Sequence, residues 1–246
     1  MRRIPRLRTA HRVKPPYPLN SFPKDFPLKV GAQIIYILAT KSTPSVEGPE
    51  WEQVFAKSIG GQWKPSNVGL DDIILRNCAW GAKTVKQEDP WKRRKIRLIS
   101  GRNSPVYSYG TDVGTSASAV ELGREVLEIW NTRVDFIRSK YAHARNVVLI
   151  KSHDLCRLTI FEIELLRYDP DLHQWRWNKR GNLEGYRYDN HCFTWQPHGS
   201  QFTIIEEVPE KRLLLELKKP PLLDAQDVLE AMGFDESWVN VINITE

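Results

Sequence analysis

Long apolar runs are missing from this 246-residue chain. A membrane-spanning helix needs roughly 18 or more consecutive apolar residues. The best candidate, Val30 to Ala39, is too short and is interrupted by Gln33. No membrane-spanning segment is therefore expected. Cysteine is scarce as well: Cys78, Cys156 and Cys192 stand far apart, and no CxxC pair occurs. That excludes a disulfide framework and makes a reducing cytoplasm the expected location. Arg2, Arg3, Arg6 and Arg8 lead into no apolar stretch, so no secretory signal is expected. Internal repeats are absent too.

What is present is enough apolar material for a core, 41% of residues, together with nine tryptophans. The formal net charge is +6, and its placement is uneven. Residues 1–28 carry seven basic side chains against Asp25 alone, so this arm accounts for the whole excess. A basic arm suits phosphate contact, and it equally suits a solvated tail. Pro5, Pro15, Pro16, Pro18, Pro23 and Pro27 oppose a targeting helix and favour an extended arm.

Beyond the arm, VGAQIIYILA fits a buried helix or a buried strand, since periodicity alone does not separate them. A helix is expected to start near Pro49, with Glu50 and Glu52 in its first turn, and to stop at Gly60-Gly61. LDDIIL (70–75) and AWGAKTV (79–85) read as paired strands, and KIRLIS (95–100) as a third. A Gly/Ser/Thr-rich loop (101–118) precedes an amphipathic core-packing helix over 119–141. Asn146–Ile150 and Arg157–Tyr168 read as strands, and residues from 169 on as β-meander strands with a closing helix at 224–232. The pattern predicts an α/β (α+β) fold: a central mixed β-sheet flanked by helices, with a β-rich C-terminal part. It divides into a basic Pro-rich arm (1–28), a core (29–168) and a β-rich extension (169–246) packed with the core.

The chemistry concentrates between Glu52 and Lys83. A helix carries an acid, an Asp71-Asp72 pair opens a strand, and the next strand carries Lys83. Carboxylates gathered at a sheet edge can hold Mg²⁺, and a lysine beside them can orient a water for phosphodiester attack. This stretch resembles the PD-(D/E)xK nuclease superfamily, and type II restriction endonucleases in particular. That resemblance implies a restriction-endonuclease-like core and Mg²⁺-dependent, sequence-specific cutting of double-stranded DNA. It gives Glu52, Asp72 and Lys83 catalytic roles, with Asp72, Glu52 and Asp71 toward the metal. It places Arg102, Asn103 and Ser104 near the DNA backbone, and it favours a homodimer on palindromic DNA. One position departs: Gly81 stands where the family has its second acid. A DNA-binding protein that kept the core and lost catalysis is therefore the second expectation.

Three other features compete. Glu216-Leu217-Lys218 is a literal acid-x-lysine, without an Asp-led hairpin before it. His153 and Cys156, with His191, Cys192 and His198, offer zinc-type ligands, although neighbouring strand residues such as His191 and Cys192 face opposite ways. The run from Trp175 to Arg187 interleaves aromatic residues with Arg176, Lys179, Arg180 and Arg187. Such a run can grip phosphate and stack bases, or it can be a hairpin with tryptophans inward. His198 and Gln201 follow as candidate base readers.

Overall fold

The computed structural model describes residues 13–65, 69–111 and 118–242. Two sheets and five α-helices are built from them, and the central sheet is mixed and flanked by helices. In chain order the elements are α1 (Phe26–Thr40), α2 (Gly48–Ile59), β1 (Gln62–Trp63), β2 (Ile73–Leu75), β3 (Cys78–Lys86), β4 (Lys95–Arg102), α3 (Pro105–Tyr109), α4 (Ala119–Lys140), β5 (His143–Lys151) and β6 (Arg157–Glu164). Then come β7 (Gln174–Trp177), β8 (Leu183–Arg187), β9 (Asn190–Gln196), β10 (Gln201–Glu207), β11 (Leu213–Glu216) and α5 (Ala225–Ala231).

The first sheet has the order β1-β2-β3-β5-β6-β11. β3 and β5 run parallel, with α4 in the connection between them, and every other pair is antiparallel. β5 is buried from Ala144 to Lys151, the signature of a strand covered on both faces. On one face α1 and α2 pack Phe26, Ile34, Trp51 and Phe55 against Trp80 and Val147. On the other, α4 lies against Ala79 and Ala144 and is sandwiched by the second sheet, order β4-β10-β9-β8-β7. The ambiguous segment after Leu28 is thus helical. α2 begins with a capping box formed by Glu47 and Glu50, and it ends on Gly60 at φ 69°, which a glycine adopts without a Cβ penalty.

Pairings and contacts run across the expected segments, and they have tertiary causes. β4, expected inside the core, pairs with β10 and opens the second sheet, because Ile96 and Leu98 alternate inward against Val148, Ile150 and Phe161. β11, from the extension, closes the first sheet beside β6. Both sheets thus join strands from before and after residue 168. Not all of the 1–28 arm stands off. Tyr17 is buried, and Asn20 clamps β6: its Oδ1 accepts from Glu162 N at 2.5 Å and its Nδ2 donates to Glu162 O at 3.0 Å. Residues 1–12 lie outside the described residues.

α4 meets the second sheet at Gly123, where a Cβ would fall 2.1 Å from Cδ2 of the Trp175 indole. Ala for Gly in a helix ordinarily stabilises by about 1 kcal/mol. Here the sign reverses: Gly123→Ala is expected to lose about 1–3 kcal/mol by overpacking. A lower urea midpoint at unchanged m-value checks it.

Candidate active site

Asp71 and Asp72 occupy the residues before β2 and are both largely buried. β2 pairs with β3 through Ile73 and Trp80, so the antiparallel register carries Asp72 to the level of Gly81. Gly81 in turn pairs with Asn146 on β5, and Lys83 lies two residues on, beside Val148. Alternation puts Gly81 and Lys83 on the α4 face of the sheet, while Trp80 and Ala82 join the α1/α2 core.

Lys83 is half-buried. Burial pushes its ammonium below the usual lysine value; Asp72 opposes this, Arg133 adds to it, and Glu52 opposes it. The structure thus brings Glu52, Asp72 and Lys83 into one electrostatic neighbourhood. Glu52 reaches it from α2, where its Oε2 accepts from Trp63 Nε1 at 2.9 Å. Asp71 parts from its neighbour: its charge acts on the Tyr141 hydroxyl at the end of α4, and its Oδ1 is buried without a hydrogen-bond partner among the described residues.

Arg133 of α4 is the member that sequence reading missed. Burial disfavours its charge and Asp72 offsets that. Its Nη1 donates to Ser100 O at 2.8 Å and to Asn103 Oδ1 at 3.0 Å. Gly101, at φ 110°, makes room for it, because a Cβ there would lie 2.7 Å from Arg133 Nη2. The available signal was a glycine directly before Arg102-Asn103; nothing local ties it to Arg133, 32 residues on.

Asn103, expected against the DNA backbone, is fully buried. Its amide Nδ2 donates to Val126 O at 2.9 Å, its backbone N donates to Ser200 O at 2.9 Å, and its carbonyl accepts from Trp195 Nε1 at 2.7 Å. Asn103 therefore holds Arg133 in place, which is a correction to its expected role. Ser104 caps α3 by accepting from Tyr107 N. Arg102 remains exposed and pairs with Gln201. The β9–β10 turn with His198 and the β7–β8 turn with Lys179 and Arg180 stand at this same end of the second sheet. Arg187 lies at the opposite end, paired with Asn190. Arg176 is spent on the Tyr186 ring, 3.9 Å from its centroid, and Trp175 faces the core.

The competing motifs do not assemble. Glu216 ends the exposed edge strand β11, and Lys218 lies beyond it in solvent. His153 and Cys156 sit in the β5–β6 turn of the first sheet, whereas His191, Cys192 and His198 belong to the second. Among the described residues no group of three or more His, Cys, Asp or Glu side chains is gathered for a metal ion.

Gly81 is crowded rather than vacant. A Cβ there would meet Asn146 Oδ1 at 2.8 Å, Gly69 O at 3.0 Å and Leu70 Cα at 3.2 Å. Two of those three atoms are backbone, so an acid at this position has no room. Gly81→Glu is accordingly expected to lose about 1–3 kcal/mol of stability through overpacking, not to complete the site. A melting curve beside a cleavage assay checks both halves.

Comparisons with protein-family models, with curated proteins and with solved structures each find no match. Within the described residues no helix is long and apolar enough to cross a membrane.

Proposed function

We propose that this chain is a Mg²⁺-dependent, sequence-specific endonuclease of the PD-(D/E)xK type acting on double-stranded DNA, most like a type II restriction enzyme. The observation that supports the reading is the strand register, which brings Asp72 before β2 level with Gly81, two residues from Lys83 on β3 and beside Asn146 of β5. Asp72 and Lys83 are two members of the trio the resemblance singles out, and Glu52 on α2 is the third.

Mg²⁺ prefers hard oxygen ligands, takes one or two carboxylates, and completes its shell with water and substrate phosphate. Asp72 and Glu52 fit that demand. Paired with Gly81, Asn146 is only 2% exposed, its Oδ1 has no hydrogen-bond partner among the described residues, and it offers an amide oxygen where the second acid is missing. Bound there, the metal would polarise the phosphate and make a bound water more acidic. The protein's own groups do the rest. Lys83 positions the attacking water and stabilises charge building on phosphorus-bound oxygen, and Arg133, fixed by Asn103, adds positive charge beside the same phosphate. Arg102, Lys179, Arg180, His198 and Gln201 at one end of the second sheet provide DNA grip and readout. A homodimer would match two-fold DNA, and the three unpaired cysteines suit a reducing cytoplasm.

The crowding at Gly81 favours a second reading, a DNA-binding protein that no longer cuts. Incubating the protein with a long, mixed-sequence duplex, with Mg²⁺ and with EDTA, separates the two. Discrete fragments in Mg²⁺ alone support the nuclease. A salt-sensitive gel shift with intact DNA under any divalent metal supports the binder.

A further inference from the structure

α1 is apolar on both sides. Its inner side, Phe26, Val30, Ile34 and Ile37, fills the core. Leu28, Ala32, Ile35 and Tyr36 form a second stripe at helical spacing on the outer side, all of them exposed, with Leu28 at 80%. A helix that is hydrophobic all round is ordinarily covered on all sides. The same chain carries another apolar surface without a partner. After β11 the polypeptide passes Pro220-Pro221, and Leu223 N donates to Ala39 O at the end of α1 at 2.8 Å. From Leu222 to Ile242 no residue is buried, although Leu222, Met232, Trp238, Val239 and Ile242 are large and apolar. A pair of prolines makes a stiff, extended lead-in that discourages folding back over the adjoining helix.

The charges match as well. Lys24, Lys29 and Lys41 flank the α1 stripe against Asp25, which pairs with Lys29 at 2.6 Å. Lys41 also faces Glu50 of α2 at 3.9 Å. Residues 222–242 hold Asp224, Asp227, Glu230, Asp235 and Glu236 with no basic side chain at all. An acidic, apolar arm and a lysine-edged apolar stripe thus occur on one chain, each exposed among the described residues.

We propose that the occupant of the α1 stripe is the C-terminal arm, residues 222–242, of a second copy of this chain, exchanged reciprocally. The exchange is isologous: each copy gives one arm and receives one, so the pair closes and no apolar surface is left to propagate. Aromatic anchors dominate such contacts, which makes Tyr36 and Trp238 the residues to change. The interface does not depend on the nuclease reading and would serve a DNA-binding dimer equally.

Sedimentation equilibrium on the full-length protein tests it. The expected wild-type mass is twice that of the 28.6 kDa chain. Tyr36→Glu and Trp238→Glu, both at exposed positions, are each expected to weaken the dimer by about thirtyfold or more, the loss typical of an interface hot spot. Mixing the two variants is expected to recover part of the dimer, because one intact stripe then meets one intact arm. Leu28→Glu and Val239→Glu replace either variant whose circular dichroism shows lost fold. A monomeric wild type overturns the proposal. So does dissociation by Tyr36→Glu with none by Trp238→Glu, which would mean that α1 packs on α1 without the arm.

Discussion

Replacing Glu162 by alanine is expected to cost about 3–5 kcal/mol of folding stability, the range for breaking a buried ion pair from one side. Glu162 is fully buried on β6, and Arg145 of β5, at 2% exposure, donates to its Oε2 from Nη1 at 3.2 Å. Three further donors converge on the carboxylate: Tyr17 Oη at 2.9 Å, Trp80 Nε1 at 2.6 Å and Asn20 N at 3.1 Å. Alanine strands all of them and leaves the guanidinium with Glu164 Oε1 at 3.4 Å as its remaining carboxylate partner. Burial raises the Glu162 carboxyl, and Arg145 with these donors works against that. Urea denaturation of Glu162→Ala checks the loss. Glu162→Gln, which retains the shape and part of the hydrogen bonding, is expected to fall between. A midpoint within error of wild type would mean the cluster contributes nothing net.

The second large effect is on chemistry. Lys83→Ala is expected to slow DNA cutting by about 10²–10³-fold, the scale set by removing one well-placed donor to a developing oxyanion. The duplex should still bind, since Arg102, Lys179 and Arg180 are untouched. pH separates this role from a merely structural one. In the proposed reaction Lys83 acts as an ammonium, which exists below its own pKa and disappears above it. Burial holds that pKa below the ordinary lysine value, so the alkaline fall in rate should arrive at a lower pH than a solvent-exposed lysine would give. Lys83→Arg keeps the charge and should move the fall upward, at a reduced plateau. An unchanged alkaline limb in Lys83→Arg would remove Lys83 from the reacting centre.

Much of the architecture was legible because it is written in local patterns. The strict alternation of KIRLIS, the continuous apolar run of β5, the Gly60 stop and the Gly233 turn after α5 each have a short-range cause, and the mixed sheet between helices follows from their order. What stayed hidden was set by distant partners. β4 alternates like any half-buried strand, and nothing in its letters says that it pairs with β10 instead of the strand before it. Tyr17 and Asn20 look like part of a loose proline-rich arm until Glu162 is placed opposite them. Arg133 sits on a helix whose pattern reveals only its apolar side, so its approach to Asp72 was not readable. Gly81 is the sharpest case: as a letter it is a missing acid, while in space it is a position closed by Asn146 and the backbone of Gly69 and Leu70.

The central claim is that Asp72 and Lys83 form a reaction centre and not only a phosphate grip. Asp72→Asn tests it most directly, because the substitution keeps size and removes the charge. Binding and cutting of one duplex in Mg²⁺ would be measured side by side for wild type and variant. The account predicts a wild type that cuts and a variant that binds the same DNA and leaves it whole. Equal cutting by both proteins would contradict it, as would a wild type that binds and never cuts.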